Sequence, residues 1–119
     1  VLDWAMGTVE GREAIRAEAA GMKEGMAKVF GDAIKVRHFV TNIAISVDGD
    51  RAATRAAWFE AYDSGPDRSP VMGTFGHYED ELARIGGRWL FRRRRIVNEF
   101  LEGRQAGHEN PVRTMGVAG

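Results

Sequence analysis

Three histidines, His38, His77 and His108, are the side chains best suited to move protons in this chain of 119 residues. Imidazole has an unperturbed pKa of ~6.5, so it can take up and return a proton near neutral pH. His38 lies in V-R-H-F-V-T-N-I-A-I-S-V, which begins at Val36. The run R-A-A-T-R-A-A-W-F-E-A-Y, which begins at Arg51, brings Trp58, Glu60 and Tyr62. A carboxylate opposite His38 would fix its tautomer and raise its basicity, and the two aromatic rings would shape an apolar site around it. The plainer alternative is a satisfied structural histidine. His77 has no partner at metal-ligand spacing. His108 falls in a glycine-bearing tail and reads as solvated. There is no Ser-His-Asp arrangement, and Gly86-Gly87 is a turn rather than a phosphate cradle. With no cysteine, thiol chemistry and Cys-based zinc sites are excluded, and a reducing, cytoplasmic compartment is expected.

The two runs form a hairpin, and the turn between them decides which residues meet. Strand side chains alternate, so Val36, His38, Val40, Asn42 and Ala44 share one face, and Phe39, Thr41, Ile43, Ile45 and Val47 the other. A two-residue loop places His38 beside Phe59. A three-residue loop, Asp48 to Asp50, places it opposite Glu60. The second choice joins Phe39, Ile43, Ile45 and Val47 with Ala53, Ala57 and Phe59 on an apolar face. It gathers His38, Asn42, Trp58, Glu60 and Tyr62 on a mixed one, which has the make-up of a ligand pocket. A bulge in these long strands would change the register.

Around the hairpin the remaining elements follow in order. Val1 to Met6 reads as a short strand ended by Gly7. Between Gly11 and Phe30, Ile15, Ala19, Met22, Met26 and Phe30 recur at helical spacing, with charged residues largely off that stripe, so a helix packed on a sheet is expected. Gly21 and Gly25 cost it about 1 kcal/mol each against alanine. Asp63 to Pro70 is a loop. Val71 to Ile85 is a third long strand, in which Gly73 and Gly76 invite bulges or a close backbone approach. Gly86-Gly87 turns into a fourth, from Arg88 to about Asn98. Residues 101–119 read as an irregular tail behind a single domain over 1–100. The expected architecture is α+β: a curved antiparallel sheet of four long strands and a short first one, wrapped on the helix with a hollow between them.

Arg92 to Arg95 could serve nucleic acid. Across a Gly86-Gly87 turn, however, Glu81, Asp80 and Glu79 fall opposite Arg92, Arg93 and Arg94, and such cross-strand pairs contribute a few tenths to ~1 kcal/mol each. The four arginines also alternate faces. Seventeen basic and seventeen acidic residues cancel, so no net field draws the chain to nucleic acid or to a membrane surface. No apolar run approaches the ~20 residues of a membrane-spanning helix, and no secretory signal pattern is present. Val1 rather than methionine opens the sequence, as expected of a processed or partial piece of a longer product.

Four segments, in order, carry a resemblance. Gly7-x-Val9-x-Gly11-Arg12-Glu13-Ala14-Ile15 resembles the strand-to-helix passage of the SnoaL-like families of the nuclear-transport-factor-2-like superfamily. His38 to Ile43 followed by Val47 to Ala52 resembles their central hairpin. Gly76-x-Tyr78-x-Asp80-Glu81-Leu82 and then Gly86 to Arg94 resemble their closing hairpin. The resemblance runs from about Val1 to Val97 and implies a cone-shaped α+β barrel with a hydrophobic pocket, commonly in a dimer. In dehydratase-like members a histidine at the position of His38 is the general acid/base, working without a cofactor beside an aspartate. That aspartate is carried by helices ahead of the strand matched by Val1 to Met6, a segment outside this sequence. The resemblance places Trp4 and Tyr78 in the pocket. Val40, Asn42, Trp58, Glu60 and Tyr62 join them as candidate substrate-binding residues, with His38 as the catalytic one. Glu60 or Tyr62 stands about where scytalone dehydratase has a second histidine, which argues against scytalone itself as substrate. The activity implied is dehydration, cyclisation or isomerisation of a small hydrophobic, ring-containing or polyketide-like molecule by a homodimer or higher homo-oligomer. The alternative is a non-catalytic ligand-binding or subunit-interface module like the β subunits of ring-hydroxylating dioxygenases.

Overall fold

Two glycine turns organise the sheet. The computed structural model describes residues 1–4, 6–31, 35–64, 69–101 and 104–105. Its strands are β1 (Leu2–Trp4), β2 (Gly7–Val9), β3 (Val36–Asp48), β4 (Arg51–Ser64), β5 (Ser69–Ile85), β6 (Arg88–Leu101) and β7 (Arg104–Gln105), with one helix, α1 (Arg12–Phe30). Gly86 and Gly87 both take positive φ, 57° and 75°, and close the β5–β6 hairpin in two residues as their sequence demands. The β3–β4 turn is also two residues long, Gly49-Asp50, because Asp48 pairs with Arg51. This corrects the expected three-residue loop. Gly49 supplies the positive φ, 55°, that a primed turn needs at its first position.

The pairing of His38 with Glu60 is nevertheless present. A bulge between Thr41 and Ala44 inserts one residue and restores it, with Asn42 at φ 51°. Asparagine tolerates this left-handed conformation better than other residues that carry a Cβ. The bulge also switches faces. Ile45 pairs with Thr54 and Val47 with Ala52, so both lie on the His38 side of the sheet, not on the side of Phe39 as a regular strand would have it. A second bulge, at Arg92, moves the charge ladder by one residue. Glu81, Asp80 and Glu79 stand opposite Arg93, Arg94 and Arg95. The acidic residues therefore meet the basic run as expected, in a shifted register.

The sheet order is β2-β1-β6-β5-β4-β3, with β7 added to β6. β1 and β2 form a hairpin where one strand ended by Gly7 was expected, and β1 runs parallel to β6. The sheet is thus mixed rather than wholly antiparallel. Arg94 donates its backbone N–H to the Val1 carbonyl at 2.9 Å, and the Val1 amino group donates to the Arg92 carbonyl at 2.7 Å. β7 falls in the stretch expected to be irregular; 106–119 lie outside the described residues.

Gly11 precedes the helix, and the Gly31 N–H caps its end on the Ala27 carbonyl at 2.8 Å. Glu13 in its first turn and Lys28 in its last complement the helix dipole. The helix meets the sheet chiefly through β2. Since β2 and β3 form the two edges of an open sheet, a helix docked on β2 is held at the rim, not across the centre. Met22 and Val29 on the helix, and Phe39 and Ile45 on β3, are accordingly exposed. The buried hydrophobic side chains among the described residues are Ala56, Trp58 and Tyr78, joined by the buried carboxylate Asp80. Cross-strand register places all four on the His38 face.

Candidate active site

β3, β4, β5 and β6 each present one or more side chains to that face. His38 comes from β3, Trp58 and Glu60 from β4, Tyr78 and Asp80 from β5, and Arg94 from β6. The His38 ring stacks on Trp58 with centroids 5.1 Å apart and planes 17° from parallel. It also lies near-parallel to Tyr78, at 6.0 Å, and Trp58 and Tyr78 stack at 5.7 Å. His38 Nε2 is 2.5 Å from the Tyr78 hydroxyl, and His38 Nδ1 is 3.9 Å from Glu60 Oε2. Burial, partly offset by the Arg94 charge, raises the pKa of the Tyr78 phenol above its ordinary value. The phenol is therefore protonated at neutral pH, and when it donates to Nε2 the imidazole carries its proton on Nδ1, toward Glu60.

Gly73 makes room for this arrangement. A Cβ there would lie 2.8 Å from Glu60 Cγ and 2.9 Å from Tyr62 Cε1. Gly76, opposite Trp58, is required for a different reason: a Cβ would sit 1.8 Å from the Val97 carbonyl oxygen. The two glycines in this strand thus let neighbouring atoms approach closely, as its sequence implied.

The candidate residues divide as follows. His38, Trp58, Glu60 and Tyr78 come together. Val40, opposite Trp58, and Tyr62, opposite Val36, share their face. Register places Trp4 there as well, two residues along from Leu2, which pairs with Arg94. The indole N–H groups of Trp4 and Trp58 are buried without a hydrogen-bond partner. Asn42 is exposed in the bulge, where its role is to carry the positive φ.

Two residues of the group go beyond the candidates named from sequence, Asp80 and Arg94. Arg94 Nε and Nη2 donate to the two oxygens of Asp80, each at 2.8 Å, and Thr54 Oγ1 lies 3.3 Å from Asp80 Oδ2. The guanidinium carbon lies 4.2 Å from the Tyr78 ring centroid and 4.5 Å from that of Phe91. The Asp80 hydrogen bond raises the Arg94 pKa, so its charge is permanent. Strand alternation from Tyr78 already places Asp80 on its face. Arg94 follows only once the bulge at Arg92 is known.

On the opposite face, His77 Nδ1 is 2.9 Å from Glu99 Oε1 and its Nε2 is 3.7 Å from Glu79 Oε1. No cluster of three or more metal-ligating side chains exists among the described residues.

The family model of a SnoaL-like domain matches residues 1–95. No curated protein matches the chain. Among solved structures, it is similar to a variant of Rv3472, a protein of unknown function from Mycobacterium tuberculosis, with 25% identity and a TM-score of 0.67 over 86% of this chain and 54% of that one. This chain therefore spans little more than half the length of that protein. It is also similar to a candidate scytalone dehydratase from Novosphingobium aromaticivorans, with 22% identity, a TM-score of 0.64, and 89% and 69% of the two chains covered. The β subunit of a candidate aromatic-ring-hydroxylating dioxygenase from the same organism shares 18% identity at a TM-score of 0.53, over 68% of this chain and 52% of that one. The last two likenesses are of fold.

Proposed function

Since this chain belongs to the SnoaL-like domain family, whose fold is the α+β cone of the nuclear-transport-factor-2-like superfamily, we propose that it is a cofactor-independent lyase or isomerase. It dehydrates, cyclises or isomerises a hydrophobic, ring-containing or polyketide-like molecule. The observation that carries this reading is the hydrogen bond of His38 Nε2 to a buried phenol, with the imidazole seated on Trp58 and its other nitrogen turned to Glu60. A histidine so held has a defined tautomer and a free edge. Its side chain is 41% exposed whereas Tyr78 is buried, so His38 is the group a substrate reaches first. Val40 and Tyr62 offer apolar surface beside His38, with Trp58 buried beneath the imidazole, and Trp4 extends that face toward β6.

The reaction such a site supports is proton transfer at a carbon next to a carbonyl. Replacing His38 by glutamine should lower turnover of a cyclic β-hydroxyketone by about 10²–10⁴, the usual contribution of a general acid/base, while the far-ultraviolet circular dichroism stays native. Unchanged turnover would remove His38 from the chemistry. The likeness to a dioxygenase β subunit supports a second reading, a non-catalytic subunit. Size-exclusion chromatography separates the two: a stable complex with a larger, metal-bearing chain favours the subunit, and a homodimer or higher homo-oligomer alone favours the enzyme.

A further inference from the structure

Behind His38, a tyrosine, an arginine and an aspartate form a continuous series from the site into the sheet. The Tyr78 hydroxyl touches His38 Nε2, the Arg94 guanidinium lies over the Tyr78 ring, and buried Asp80 grips that guanidinium with both oxygens. A cross-strand ion pair needs no aromatic ring beneath it, and a substrate-binding tyrosine needs no cation above it. We propose that Tyr78 is the proton reserve of His38 and that Arg94, clamped by Asp80, is the positioning residue that holds the phenol in place and stabilises its phenolate. The proposal rests on the acid/base reading of His38 and extends it to residues that the substrate does not reach.

The proton balance is simple. When His38 Nδ1 gives its proton to an oxygen of the substrate, Nε2 takes the phenol proton, and the O–H bond of Tyr78 breaks as the N–H bond forms. The negative charge then rests on Tyr78, beside Arg94. When Nδ1 takes a proton from a substrate carbon, Nε2 returns its own to the phenolate. His38 thus ends each cycle neutral, and Tyr78 ends it protonated. The groups that set the acidity of the phenol face it from four strands: His38 from β3, Glu60 from β4, Asp80 from β5 and Arg94 from β6. Burial and the two carboxylates oppose the phenolate; Arg94 is the cation that favours it.

The chain has two tyrosines, so in a Tyr62→Phe background the tyrosinate absorbance reports Tyr78 alone. Adding Arg94→Gln should raise the titration midpoint of Tyr78 by about one pH unit or more, the effect of removing a close opposite charge. A midpoint left where it was would show that the guanidinium does not stabilise the phenolate, and that result would overturn the proposal. If Arg94→Gln does not fold, Tyr78→Phe gives a separate reading. The imidazole nitrogen shifts of His38, followed by NMR, should move from the single Nδ1–H tautomer to a mixture, with kcat lowered and KM unchanged; an unaltered tautomer would overturn the relay. Both spectroscopic measurements are made without substrate. A relay that fails beside an essential His38 sinks only the relay, whereas a dispensable His38 sinks both the acid/base reading and the relay that rests on it.

Discussion

Asp80 is the residue on which the site depends most. Its side chain is 4% exposed, and its charge is balanced by two hydrogen bonds from Arg94 and one contact with Thr54. Breaking a buried pair by removing one partner costs about 3–5 kcal/mol, because the other charge is left unpaired. Asp80→Ala should therefore lower stability by roughly that amount in urea unfolding, less whatever Arg94, which is one-third exposed, recovers by turning to solvent. A change below about 1 kcal/mol would mean that solvent already satisfies the pair. Tyr78 sets the alkaline limit. Its pKa is raised on folding, chiefly by burial, so its contribution to stability is fully present below the ordinary phenol value of 10.0 and is lost as the pH rises through the folded value. Tyr78→Phe should flatten the dependence of the unfolding midpoint on pH above that point. Neither role is visible from residue type alone. Tyr78 could be named because four segments resembled a family; Asp80 and Arg94 read only as members of a charge ladder.

β3 shows why the right pairing can come from a wrong turn. The two-residue loop alone would have slipped His38 off Glu60, and the bulge at Asn42 slips it back. Nothing in V-T-N-I-A marks a bulge except an asparagine in the middle of a strand, a residue that strands disfavour and the left-handed region accepts. The position should consequently tolerate glycine. Valine there should cost about 1–2 kcal/mol, the penalty of a Cβ in that conformation, read as a lower denaturation midpoint for Asn42→Val than for Asn42→Gly. The strands themselves were legible because their alternation is long and their turns contain glycine. Their faces were not, since one inserted residue inverts every side chain beyond it. The β1–β2 hairpin was harder still: three residues per strand carry too little pattern. It is held by Asp3, which accepts hydrogen bonds from the Thr8 hydroxyl at 2.7 Å and from Arg93. Thr8 first and then Arg93 lower the Asp3 pKa below 3.8. The stabilisation is hence present above that value and lost as the pH falls through the lower folded value. The amide protection factors of β1 and β2 should fall at acid pH in the native chain, and Asp3→Asn should remove most of that dependence.

At the scale of the whole molecule, the described residues leave a row of large apolar side chains open to solvent. They lie where the helix does not reach. Phe39, Val40, Ile43, Ile45 and Val47 on edge strand β3 are each between 45% and 63% exposed, and Met22 and Val29 face solvent from α1. An exposed edge strand with a row of apolar side chains is a template for pairing with another chain. The bulge at Asn42 divides that row between the two faces, so a partner that covers Phe39 need not cover Ile45. The proposed homo-oligomer therefore has two surfaces to choose from, and substitution tells them apart. Phe39 stacks on Phe59 at 4.7 Å on the face away from His38. A copy docked there leaves the site open, and Phe39→Asp should shift sedimentation toward monomer with turnover retained. A copy docked over Ile45 and Val47 covers the His38 face and supplies one of its walls. In that case Ile45→Asp should abolish association and activity together.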